Sequence, residues 1–271
     1  MKFILKVSVM VGLAILVLGC GTATTAPSAP QPGTEAPAPV PPTPSALGVA
    51  YNNVSFTVPF AMADTVTYAT TTAVEFPYIN PSGGPMPEHI VFNLNGYARE
   101  AQYSQPSVLV YPAAEYAQYS DLTQGIIDSL QTLQVAPGQP LPQALINGVI
   151  SAQVQEVQFQ SGRGVRYLTQ VNQVPVPINS KGLFYYFQGL TTDGRYFVQV
   201  ILPVYAPFLP TDDSPNSPAP ADGVPFDWNN YNSLPQYLDA VTQKLNTAVS
   251  GDFTPRLAHL DKLVQSILVN P

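Results

Sequence analysis

Cysteine, histidine, tryptophan and charge are all scarce in this chain of 271 residues. With Cys20 its single cysteine, the chain has no intramolecular disulfide, so it must fold on its core even in an oxidising compartment. His89 and His259 are the two histidines. They show no H-E-x-x-H or other ligand spacing, and without a second cysteine a zinc site lacks its donors. No G-x-S-x-G elbow is present, so the sequence assigns no catalytic residue, no metal and no cofactor. Charged residues are 10% of the chain, against roughly 25% in soluble proteins. The 10 basic residues are outnumbered by 17 acidic ones, which argues against nucleic acid as a partner.

What the chain does have begins at its N-terminus. Lys2 and Lys6 precede an apolar segment, Val7 to Leu18, which closes in Gly19-Cys20. A basic n-region, a short h-region and a small residue are what a signal peptidase reads, and the run is too short to span a hydrocarbon core of about 30 Å comfortably. The pattern resembles a bacterial lipoprotein signal with its lipobox, with Leu18 a less usual residue before the glycine. The resemblance implies a signal peptide at 1–19 and a mature N-terminus at Cys20 bearing a diacylglyceryl thioether. The partner implied there is the bacterial cell membrane or outer membrane, since Gly21 is not the aspartate that retains Gram-negative lipoproteins at the inner one. Each buried methylene contributes about 0.8 kcal/mol, so two or three acyl chains anchor stably. Losing Lys2 and Lys6 leaves 8 basic residues against 17 acidic, a formal charge of −9.

Residues 20–47 are read as the lipidated cysteine and a disordered Pro-rich linker, with prolines at 27, 30, 32, 37, 39, 41, 42 and 44. Extended at about 3.1 Å per residue, this spacer reaches roughly 75 Å from the bilayer. Residues 48–271 are read as one α+β domain. Val54, Phe56 and Val58 alternate with polar residues as in a half-buried strand, and strands are expected at 65–76, 89–97 and 108–111. Leu122, Ile126, Ile127, Leu130 and Leu133 lie on one helical stripe with Ser120 as N-cap. A hairpin is expected around Gly162-Arg163, which would pair Arg166 with Phe159. Another is expected around Asp193-Gly194 in a type I′ turn, pairing Phe187 with Val200 and Tyr185 with Leu202. Both faces of that second hairpin are apolar. It is therefore either central in its sheet or carries an exposed aromatic platform. Two helices close the chain, one capped by Ser233 and one started by Thr254-Pro255. The expected fold is an antiparallel β-sheet with flanking helices, two of them C-terminal.

Phe187-Gln188-Gly189-Leu190-Thr191-Thr192-Asp193-Gly194-Arg195-Tyr196-Phe197, with the lipobox and linker, makes the chain similar to uncharacterised bacterial lipoproteins. The strands at Phe56-Thr57-Val58-Pro59 and Tyr196-Phe197-Val198, followed by a last helix, resemble the PsbP-like fold. That resemblance implies a non-enzymatic accessory or binding role. Candidate ligand-binding residues are Arg166, expected on an apolar face where its charge needs a partner, and Tyr186, Phe197, Phe208 and Trp228, expected to reach a surface. Residues 203–227, with seven prolines, read as a mobile acidic loop or lid. Asp212, Ser214 and Asn216 match the start of a calcium loop, but Ser217 stands where its glycine belongs. The function expected is a non-catalytic extracytoplasmic protein that binds a protein or glycan partner. The alternatives are a polysaccharide hydrolase using paired carboxylates, for which Glu75, Glu88, Glu100, Glu115 and Glu156 are available, or a small-molecule carrier.

Overall fold

A computed structural model describes residues 46–74, 86–99, 105–135, 141–146 and 148–271. The expected signal peptide, Cys20 and nearly all of the linker lie outside them, as do Glu75 and Glu100. Among the described residues ten strands form two antiparallel sheets. β1 (Leu47–Tyr51) and β2 (Val54–Val58) make a hairpin through Asn52, an amide residue that tolerates its positive φ of 51°. β2 also pairs with the two-residue β10 (Leu268–Val269), giving the order β1-β2-β10. The large sheet contains β3 (Thr65–Thr71), β4 (His89–Asn95), β5 (Ser107–Pro112), β6 (Ala152–Phe159), β7 (Gly162–Thr169), β8 (Phe184–Thr191) and β9 (Tyr196–Pro203). Its order is β3-β4-β5-β9-β8-β7-β6, with neighbours antiparallel throughout.

Two faces of the large sheet bury into two cores, which makes a layered α+β fold. On one face Tyr185, Phe187, Val198, Val200 and Leu202 meet helices α3 (Leu234–Thr247) and α4 (Leu257–Gln265) and the small sheet. On the other, Phe184, Tyr186, Leu190 and Phe197 meet α2 (Asp121–Gln131), which follows the short α1 (Ala113–Ala117). Every residue of β8 is buried, so the doubly apolar hairpin is central rather than a platform. Each large apolar side chain removed from water there contributes about 1.5–3 kcal/mol. No helix among the described residues is long and apolar enough to cross a membrane.

Local chemistry explains most boundaries. Ser120 caps α2 as expected: its Oγ accepts from Thr123 N at 3.1 Å while Thr123 Oγ1 accepts from Ser120 N at 3.0 Å. Phe187 pairs with Val200 and Tyr185 with Leu202, in the register expected. The turn itself differs, because only Gly194 has a positive φ, +73°, and its N–H donates to Thr191 O at 2.8 Å. A type I′ turn would need positive φ at Asp193 as well.

Other expectations are corrected. The β6–β7 turn is Gln160-Ser161, not Gly162-Arg163, because Phe159 pairs with Gly162. The glycines instead serve close backbone approach: a Cβ at Gly164 would fall 2.1 Å from Gln188 O, and one at Gly162 2.2 Å from Leu190 O. Leu122 is 60% exposed and does not join the buried stripe of Ile126, Ile127 and Leu130. α4 begins at Leu257, past Pro255, because Thr254 exchanges both backbone hydrogen bonds with Tyr205 and is held extended. Ser233 makes no side-chain cap; its hydroxyl donates to Asn230 O at 2.6 Å. β1, β10 and α1 were not expected, being short and weakly patterned.

Candidate functional site

Arg166 lies inside the molecule, 4% exposed, opposite Gln155 rather than Phe159. Moving the turn two residues back, from 162–163 to 160–161, shifts its partner by four, since register follows the loop. A bulge between Ala152 and Gln155 puts Gln153 at φ +54°. That residue caps the end of α3: its N–H donates to Asn246 Oδ1 at 2.6 Å and its Nε2 to Leu245 O and Ala248 O, both at 2.8 Å. The Gln153 carbonyl in turn accepts from Arg166 Nη1, and Gln155 Oε1 accepts from Nη2 at 2.6 Å.

Asp261 of α4 completes this network. Its Oδ1 is 3.3 Å from Arg166 Nε, an ion-pair contact lacking hydrogen-bond alignment, and accepts from Tyr185 Oη at 3.0 Å. Burial pushes the Asp261 carboxyl above its ordinary range, opposed by the Arg166 charge and by the hydrogen bond from Tyr185. Burial likewise holds the Tyr185 phenol protonated, well above the tyrosine range. The guanidinium is thus committed to joining the sheet to α3 and α4. Chemically the cluster is a strut between layers.

The aromatic candidates divide. Tyr186, at 2% exposure, and Phe197, fully buried, lie beneath α1 and α2, which correct their expected surface position. Tyr186 Oη accepts from Gln188 Nε2 at 3.1 Å and from Gln199 Nε2, so the facing glutamines bond to the sheet's own tyrosine. Phe208 is also buried, edge-on to Phe253 at 6.4 Å with Lys244 Nζ 5.0 Å from its ring centre. Its segment packs Val204, Ala206 and Leu209 into the core beside it, so the expected lid is anchored along that stretch. Two ion pairs tie the acidic loop down, Lys181 to Asp212 at 3.5 Å and Lys244 to Asp222 at 3.3 Å. Among the described residues no three histidines, cysteines or carboxylates gather where a metal could be held. His89 is buried, stacked on Tyr111 at 4.6 Å with its Nδ1 2.9 Å from Pro87 O, and burial lowers its pKa.

Trp228 alone of the five remains half-exposed. Phe226 is its foundation, packing edge-on to the Trp228 ring at 4.9 Å and to buried Tyr237 at 5.0 Å. Tyr237 is fixed by the Ile178 N–H, which donates to its Oη at 2.9 Å. On the outer side Tyr231, 53% exposed, has its ring centre 6.4 Å from that of Phe226. Asn229, Asn230 and Asn232, adjacent in sequence, are exposed, and Asp227 Oδ1 accepts from Asn229 N at 2.9 Å, shaping the segment. Aromatics at positions 226, 228 and 231 carried this signal, but Trp228 was singled out without its neighbours.

A concavity of about 640 Å³ opens elsewhere, where the two hairpin turns meet the end of α2. Gln131, Gln160, Arg163, Thr192 and Asp193 give it a polar wall. No family profile matches the chain, and no curated protein compared with it is similar.

Proposed function

We propose that this chain is a lipid-anchored bacterial envelope protein, held through Cys20, whose domain is a non-catalytic module binding neutral polysaccharide on the Trp228 cluster. The observation that carries the reading is the aromatic set at 226, 228 and 231, braced from the core by Tyr237 and interleaved in sequence with exposed asparagines. Rigid aromatic faces offer apolar area at little entropic cost, and amides supply both donors and acceptors. Together these suit the apolar face and hydroxyl rim of a pyranose.

The non-catalytic part of the reading is supported by how charge is used. Glu156, Asp212, Asp222 and Asp261 each sit against a cation, at 3.3 to 3.6 Å. The leader and Pro-rich spacer support an anchored position with the ligand sought at a distance from the bilayer.

Two measurements test this. Metabolic labelling with a palmitate analogue should mark the full chain and be lost in Cys20→Ala; an unlabelled wild type overturns the anchor. Titration of cell-wall polysaccharides into the domain should show binding that Trp228→Ala and Tyr231→Ala each weaken at least about tenfold, as for removal of a central aromatic contact. Binding indifferent to both substitutions, or its absence, overturns the glycan assignment.

A further inference from the structure

β3 is an outer strand of the seven-stranded sheet, laddered to β4 without a bulge from Thr65 opposite Asn95 to Thr71 opposite His89. Its sequence, Thr65-Val66-Thr67-Tyr68-Ala69-Thr70-Thr71, holds no charge, proline or glycine. Thr65, Thr67, Tyr68, Ala69 and Thr70 are exposed. Natural edge strands are usually blunted by lysine, proline, a bulge or a covering element, because every second backbone N–H and C=O points outward unpaired. Here strongly β-forming residues leave that row without a second partner strand among the described residues.

We propose that β3 is a self-association edge, on which a second copy of this chain adds its own β3 antiparallel about a two-fold axis at Tyr68. The sequence is complementary to itself in that register. Thr65 falls opposite Thr71 of the second copy, Val66 opposite Thr70 and Thr67 opposite Ala69, while the nearest charge, Asp64, falls opposite neutral Thr72. Threonine and aromatic cross-strand pairs each contribute about 0.2–1 kcal/mol; the off-axis pairs occur twice across an isologous interface and the Tyr68 pair once, on the axis. Tyr68 is 49% exposed and already stacked on Tyr51 at 4.6 Å, so the two copies meet ring to ring on a braced aromatic. The Asn95 Nδ2 donates to Thr67 Oγ1 at 3.1 Å, fixing one hydroxyl of the edge. The product is one continuous sheet across two molecules. This association does not depend on the glycan reading, though copies anchored to one membrane would meet at raised effective concentration.

Sedimentation equilibrium of Pro42–Pro271, the compact unit that contains both cores and all ten strands, tests it across a series reaching millimolar. The wild type should show a monomer–dimer equilibrium, with β3 amides gaining hydrogen-exchange protection as concentration rises. Tyr68→Lys sets like charges against each other on the axis, and Ala69→Lys adds them beside it with the Tyr51 stack intact. Each should raise the dimer Kd at least about tenfold, while Gln158→Glu on β6 leaves it unchanged. Matching thermal midpoints exclude unfolding as the cause. A monomer throughout the series overturns the proposal. So does a dimer indifferent to both lysines, or an edge that takes up an extended foreign peptide without self-associating.

Discussion

The two edges of the large sheet are built to opposite rules. β6 is interrupted by the Gln153 bulge, carries Glu156 paired with Arg163 at 3.6 Å, and has α3 and α4 packed against it. β3 is regular, neutral and largely exposed. At β6 the polar side chains have been turned inward as fasteners, so Arg166, Gln153 and Asp261 hold three elements together. At β3 the polar side chains are threonine hydroxyls, which accompany a backbone ladder without replacing it. The difference separates an edge whose hydrogen-bonding capacity is used within the molecule from one that has no second partner strand among the described residues.

Breaking the fastened edge should have the largest effect. Arg166→Ala leaves half-buried Asp261 without its cation, and such a loss costs up to about 3–5 kcal/mol, read as a lower denaturant midpoint. The paired change Arg166→Met with Asp261→Leu should recover most of it, because the penalty belongs to the orphaned charge. Gln153→Ala should cost about 1–2 kcal/mol by the same measurement, a helix-capping effect, since it removes the donor to Leu245 O and Ala248 O. Equal losses for Arg166→Ala and the paired change would show that the site's packing matters more than its charge.

The same two regions show what a sequence discloses. The strand alternation at 54, 56 and 58, the Ser120 cap and the β8–β9 register are local, each decided within a few residues, and they were legible. Arg166 was also recognisable as a charge on an apolar face needing a partner. The partner was not, because Asp261 comes from the last helix and Gln153 acts only through a bulge that no pattern announces. The β6–β7 turn failed for a related reason. Gly162 resembles a turn residue, but tertiary contact with β8 decides its place, and Ser161 is held from outside the hairpin by the Val269 N–H at 2.9 Å. Aromatic candidates went astray where a strand is buried on both faces, since composition cannot distinguish a second core from a platform.

Beside the open edge, His89 offers a smaller and pH-dependent test. It pairs with Thr71 of β3, and burial lowers its folded pKa below the unfolded value of 6.5. The neutral ring is therefore favoured by folding. Its stabilising contribution is present above pH 6.5 and is lost as pH falls through the folded pKa, where the native state must take up a proton it disfavours. Thermal midpoints of the wild type should fall relative to His89→Phe as pH drops from 7 toward 5. His89→Phe keeps a ring against Tyr111 and cannot titrate, so a constant difference across that range would show that the histidine does not sense pH.

The smallest effect on stability should come from charging the open edge. Ala69 is exposed and its neighbours on that face are threonines, so Ala69→Lys should shift monomer stability by no more than about 0.5 kcal/mol, as is usual for an exposed site. A urea midpoint and slope matching the wild type at low concentration would establish that β3 contributes its backbone ladder, rather than the Ala69 side chain, to the monomer. A loss approaching that of Gln153→Ala would mean that the edge is already covered within the single molecule. In that case β3 and β6 would be two versions of one sealed edge, and the contrast between them would lie only in which part of the chain supplies the seal.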